Sequence, residues 1–157
     1  MGTKIKKEPC LVTPDKVKER IVGKDNWQRT VYDVLCPEQV DCAHLLMGET
    51  INPSGNWSSY PPHKHDCDNL PTEAKLEEIY FFQVNPEQGF GFQRIYTHGD
   101  SVDETFTVTH NTLVVIPQGY HPVVAAPGYQ LYYLWVLAGE KRVLQPCDDP
   151  NHCWIKK

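Results

Sequence analysis

From Trp27 onward the apolar positions of this chain recur with a period of two, the pattern of strands buried on one face. Thr30 to Leu35 and His44 to Ile51 alternate in this way, followed by Leu76 to Val84, Phe90 to Thr97, Glu104 to Val108, Thr112 to Ile116, His121 to Ala125 and Tyr129 to Leu137. Turn residues separate these runs at Asn52-Pro53-Ser54-Gly55, Asn85-Pro86-Glu87-Gln88-Gly89, His98-Gly99-Asp100, His110-Asn111 and Pro127-Gly128. About eight short strands with no long helix predict an all-β antiparallel sandwich or barrel, a jelly roll being the natural candidate. The stretch before Trp27 lacks this alternation. Lys16 to Ile21 is patterned for a turn or two of helix, so residues 1–25 are expected to form an N-terminal arm and residues 26–157 a single domain.

Composition narrows the function classes. The net charge of -5 and the lack of a basic cluster beyond Lys4, Lys6 and Lys7 argue against a nucleic-acid partner. No apolar run is long enough to span a bilayer, so no membrane association is expected. The N-terminal residues are not followed by the apolar segment of a secretory signal, and Lys6 stands where a myristoylation signal has Ser or Thr. Six cysteines without a C-x-x-C pair read as idle thiols in a reducing, cytoplasmic setting.

The chemistry gathers at Pro61-Pro62-His63-Lys64-His65-Asp66. On an extended segment His63 and His65 project to the same face and Lys64 to the other, which makes a two-pronged metal clamp. The following strand carries adjacent carboxylates, Glu77 and Glu78, on opposite faces. Glu78 shares its face with Tyr80 and Phe82 and Glu77 with Ile79 and Phe81, so hydrophobicity does not choose between them. Pro117-Gln118-Gly119-Tyr120-His121 adds a histidine after a tight turn, at the expected head of a strand.

These segments resemble the two motifs of the cupin superfamily, a small metal-binding jelly roll. Counting from Glu78 reaches the Asn85-Pro86 turn where the first cupin motif places its glycine or turn, which favours Glu78 over Glu77. The resemblance implies His63, His65, Glu78 and His121 as ligands to a divalent metal, with zinc or manganese placed ahead of iron and nickel. Longer stretches, Gly55 to Asp66, Gln88 to Tyr96, Gly119 to Val123, Pro127 to Leu134 and Asp149 to Trp154, are similar to the 5-deoxy-glucuronate isomerase family of inositol catabolism. This similarity covers the second half of the usual tandem-cupin member, from about Asn26 onward. It implies an aldose-ketose isomerase, an intramolecular oxidoreductase, acting on a small-molecule sugar acid and pairing as a homodimer. Glu78 would serve as base with Tyr80 or Tyr60 assisting, and Arg94 would hold the uronate carboxylate. Gln93, of opposite parity to Arg94, stands as the other substrate-binding candidate. Trp135 stands where these enzymes are expected to carry asparagine, whereas the related 4-deoxy-5-ketouronate isomerases tend to have tryptophan there. That second substrate, a cupin dioxygenase and a non-catalytic sugar-acid-binding cupin are the alternatives.

Overall fold

The computed structural model describes residues 6–99 and 101–157. Met1 to Ile5 and Asp100 lie outside the described residues, and with them the expectations about an N-terminal signal and the last position of the His98-Gly99-Asp100 turn. Twelve strands follow in order: β1 (Lys18–Val22), β2 (Arg29–Leu35), β3 (Leu45–Asn52), β4 (Trp57–Ser58), β5 (His63–Lys64), β6 (Glu77–Asn85), β7 (Phe90–Tyr96), β8 (Asp103–Thr109), β9 (Leu113–Ile116), β10 (Val123–Ala125), β11 (Gln130–Ala138) and β12 (Cys147–Asp148). They form a six-stranded sheet ordered β1-β2-β3-β11-β6-β9, a four-stranded sheet ordered β4-β10-β7-β8, and a two-stranded β12-β5 pair. Every named strand pairing is antiparallel. This is the all-β jelly roll that the alternating pattern predicts. Among the described residues no helix is long and apolar enough to cross a membrane.

The core lies between the two larger sheets. Leu46, Phe82, Ile116, Leu131 and Leu137 of the first share one buried cluster with Ile95, Val108, Val123 and Ala125 of the second. Each large side chain buried in this way contributes about 1.5–3 kcal/mol. The alternation is strict on β6 and β11, where Tyr80, Phe82 and Val84 face the same interior as Tyr133, Trp135 and Leu137. The same parity carries Glu78 inward, leaving it 5% exposed, and leaves Glu77 outside. Gly48 pairs with Trp135 across β3 and β11. A Cβ on Gly48 would stand 2.1 Å from Trp135 Cζ2, so only glycine admits the indole here.

The N-terminal stretch differs from expectation. Lys18–Val22 is a strand, not a helix, and pairs with β2 from Lys18 opposite Asp33 to Val22 opposite Arg29. A helix of one or two turns does not repay its nucleation cost in isolation. The edge of β2 offers a complete ladder instead, reinforced where Arg20 forks onto Asp33 through Nε and Nη2 at 2.6 and 2.7 Å. The strand heading toward Ala125 also starts later than expected, at Val123, so His121 sits in the connection before it.

Candidate metal centre

The clamp is held on three sides. β5 pairs with β12, Asp148 lying opposite His63. The Pro62 carbonyl accepts the Asp149 amide at 2.8 Å, and the buried Asp149 carboxylate accepts the Tyr96 hydroxyl at 2.5 Å. His65 is locked to the start of β6, because its carbonyl accepts the Leu76 amide at 2.8 Å and its ring Nδ1 bonds the Leu76 carbonyl at 2.9 Å. That fixes the ring so that Nε2 points at Glu78 Oε2, 2.9 Å away. His121 is oriented in the same manner, Nδ1 bonding the Gly119 carbonyl at 2.9 Å. Gly119 itself has φ +87°, a left-handed conformation that glycine adopts without a steric penalty.

His121 Nε2 lies 3.2 Å from the same Glu78 oxygen but makes no hydrogen bond, a buried nitrogen without a partner. The ligating atoms of His65, Glu78 and His121 all fall within 4.8 Å of one another. Two atoms bound to one metal at 2.0–2.2 Å stand about 2.8–3.6 Å apart when they share an edge of an octahedral or tetrahedral coordination shell. The 2.9 and 3.2 Å separations are of that size, and the orphaned nitrogen is what a missing cation would satisfy, so the residues fit a metal. His63 stands beside this trio, its ring centroid 4.8 Å from that of His121 and 6.4 Å from that of His65.

Electrostatics point the same way. Burial, then the neighbouring His121 and His65 rings, hold the His63 pKa well below the ordinary histidine value, which keeps its nitrogens free to ligate. Burial alone would raise the Glu78 pKa, but the adjacent His121 and His65 bring it down to about 2, so the carboxylate is ionised. Burial opposes a charge on His65, and Glu78 outweighs it to give a net upward shift.

The other face of the clamp contains a second cluster. Lys64 Nζ reaches Asp66 Oδ1 at 2.5 Å and both Glu73 oxygens at 2.9 and 3.0 Å. Glu73 Oε1 also accepts the Asp66 and Cys67 amides, and Asp66 Oδ2 accepts the Gly119 amide at 2.8 Å. Lys64 thus points away from the histidines, as its parity requires. Through Asp66 the network ties the His63–His65 segment to the turn that orients His121.

A cavity of about 390 Å³ is lined by His63, His65, Glu78, Tyr60 and Tyr80 among others, while His121 lies fully buried behind it. Burial, with the charge of Glu78, raises the Tyr80 pKa well above the ordinary tyrosine value; its hydroxyl bonds Ser59 Oγ at 2.9 Å. The two substrate-binding candidates stand elsewhere. Arg94 faces outward on β7, forked onto Asp103 at 2.7 Å through both Nε and Nη2 and stacked 4.2 Å from the Tyr96 ring centroid. Gln93 takes the inward face and is fully buried, its amide without a partner, but it does not line this cavity. The cations that do line it are Arg20, Arg29 and Lys156. Sequence reasoning missed all three: two lie in the N-terminal region, one in the last residues, and only folding brings them to the histidines.

Comparison with known proteins bears on the family and the fold. The chain is 49% identical to the 5-deoxy-glucuronate isomerase of Geobacillus kaustophilus over 145 residues, which cover 92% of this chain and 52% of that protein. The chain therefore spans about half the length of the curated relatives it matches. The solved structure of an IolB-like protein from Salmonella typhimurium superposes with a TM-score of 0.94 at 39% identity, covering 98% of this chain and 58% of that one. A cupin-like protein from Thermotoga maritima shares the fold at 16% identity, with a TM-score of 0.51 over 73% of this chain and 70% of its own. The barrel is thus a cupin jelly roll. Because the family model matches residues 3–155 and not just one motif, the chain belongs to the KduI/IolB family.

Proposed function

We propose that the chain is a metal-dependent aldose-ketose isomerase acting on a deoxy-uronate, converting 5-deoxy-glucuronate to 5-dehydro-2-deoxy-gluconate. The observation that carries this reading is the buried, unpartnered His121 Nε2 beside an ionised Glu78 that lines the cavity. The substrate is inferred from the relatives named for it. His63, His65, Glu78 and His121 are the proposed ligands, and three imidazoles with one carboxylate suit zinc or manganese, then iron or nickel. Bound there, a divalent cation would supply Lewis-acid polarisation of a carbonyl and its neighbouring hydroxyl.

The chain's own groups would manage the protons. One proton must leave the carbon beside the carbonyl and one must return to the former carbonyl carbon, and an ionised Glu78 oxygen is the base assigned to that transfer. Tyr80, held neutral by burial and fixed by Ser59, would donate to a developing oxyanion, with Tyr60 as a second hydroxyl on the wall. Trp27, Val31, Trp135 and Leu137 line the cavity and would limit water access to the reacting carbons.

Trp135 on the cavity wall favours 4-deoxy-5-ketouronate as a second substrate reading. The chain is further proposed to pair with a second copy, a reading supported by Leu113 and Val115, 53% and 60% exposed on the edge strand β9. A cytoplasmic setting is supported by the six free cysteines. The test is metal analysis of protein purified without chelator, followed by anaerobic assay on both uronates. One bound metal and turnover of either uronate without oxygen is expected. Turnover that requires oxygen would establish the dioxygenase alternative, and binding without turnover the non-catalytic one.

A further inference from the structure

Of the three cations on the cavity wall, Arg20 is neutralised by Asp33 and Lys156 by Asp148. Arg29 is not. It opens β2, is 9% exposed, and among the described residues has no carboxylate within ion-pairing distance. Its Nη1 donates to two backbone carbonyls, Trp27 at 3.1 Å and Tyr60 at 3.0 Å, which clamp the guanidinium against the Tyr60 segment leading into the histidines. Neither Nε nor Nη2 makes a hydrogen bond among the described residues. Burial lowers the Arg29 pKa from the ordinary arginine value, the direction expected of a cation withdrawn from water without a counter-charge.

A buried charge without a partner is costly, and proteins retain one where something else supplies the opposite charge. The other acid groups of the cavity are already engaged, Glu78 between two imidazoles and Asp148 with Lys156. Among the described residues no carboxylate of the cavity is left to balance Arg29, which points to an anionic ligand. A guanidinium anchored through one nitrogen, with an Nε–H and a second amino group free, matches the two oxygens of a carboxylate.

We propose that Arg29 is the carboxylate anchor of this cavity, binding the acid end of an acyclic sugar acid whose other end lies toward the histidines and Glu78. The inference rests on the isomerase reading for the sugar, and on Arg29 alone for the acid group. It transfers to Arg29 the role that the family resemblance implied for Arg94, whose fork is occupied by Asp103 on the outer face.

The test compares D-gluconate with D-glucitol, acyclic sugars that differ in a carboxylate against a hydroxymethyl group, by calorimetry on metal-reconstituted and metal-free protein. Wild type is expected to prefer gluconate, and Arg29→Met to lose about ten- to hundredfold of that preference, the range for a hydrogen-bonded charged contact. Arg29→Lys should lose less, keeping the charge without the fork, and Arg94→Gln should bind as wild type does. Arg29 also supports backbone, so the wild-type Arg29 Nε resonance provides a readout without mutation: gluconate should shift it and glucitol should not. Equal affinity for the two sugars, an unmoved resonance, or a folded Arg29→Met with wild-type gluconate binding would overturn the proposal. Gluconate binding through Arg29 without isomerisation would sink the isomerase reading and leave the anchor standing. Isomerisation with unchanged KM in Arg29→Met would do the reverse.

Discussion

Two clusters of ligand-type side chains lie back to back across the clamp, and they differ in one respect. Asp66, Cys67 and Glu73 have the spacing of a metal site, but the Lys64 ammonium already occupies their centre. His65, Glu78 and His121 fall within the same limit with no lysine or arginine among them, and one of their nitrogens is buried without a partner. Distance alone would rank the two equally; the unmet nitrogen distinguishes them. A cluster closed by its own lysine is a structural tie, whereas one with an unpartnered buried ligand nitrogen has the chemistry of a metal site. The tie serves the site, since Asp66 joins the clamp to Gly119 and hence to His121.

The largest expected effect comes from removing the orphaned nitrogen. His121→Ala should reduce metal affinity by at least about a hundredfold and abolish turnover. Its melting temperature without metal should also fall by several degrees, because the ring is fully buried against His63, His65 and Tyr80 and its loss leaves a cavity. Metal content and thermal melts check both halves, and a His121→Ala protein that keeps its metal would place the site elsewhere. Lys64→Met attacks the tie instead. It leaves Glu73, 6% exposed, without its cation, and should cost about 3 kcal/mol in denaturant unfolding, with weaker metal binding as a consequence. If stability falls and metal affinity does not, the two clusters are independent.

Asp66→Asn is milder. It weakens the Lys64 pair and the link to the Gly119 amide, and about tenfold weaker metal binding in a competition titration is expected, in line with other groups that orient ligands. The smallest effect belongs to Cys67→Ser, which should change stability by no more than about 0.5 kcal/mol and leave metal stoichiometry unaltered. A lost metal equivalent in that variant would show that the Lys64 cluster binds metal after all.

The sequence made the clamp, the later His121 and the period-two strands legible because each is a local pattern. Glu78 was harder. Ile79 and Phe81 are as apolar as Tyr80 and Phe82, so the inward face of β6 is decided by packing against Tyr133 and Trp135 on β11 rather than by β6 itself. The cupin spacing favoured Glu78, the residue that faces inward, where hydrophobicity favoured neither. Strand β1 was illegible for a similar reason: Lys18 to Val22 has no strong propensity, and its conformation follows from the free edge of β2 and the Arg20–Asp33 fork. Arg94 and Gln93 were recognised as facing opposite ways, but nothing local told which way was in; Gln93 turned inward and Arg94 found Asp103. Arg29 carried no signal, since its meaning depends on Tyr60, far along the chain, and on a carboxylate that is missing from its surroundings.

The most direct measurement is X-ray absorption on the metal-loaded wild-type protein. The account predicts a first shell of nitrogen and oxygen only, at about 2.0–2.2 Å, with the outer-shell scattering of three imidazoles. A sulfur scatterer at about 2.3 Å would place the metal with Cys67 in the Lys64 cluster and contradict the central claim.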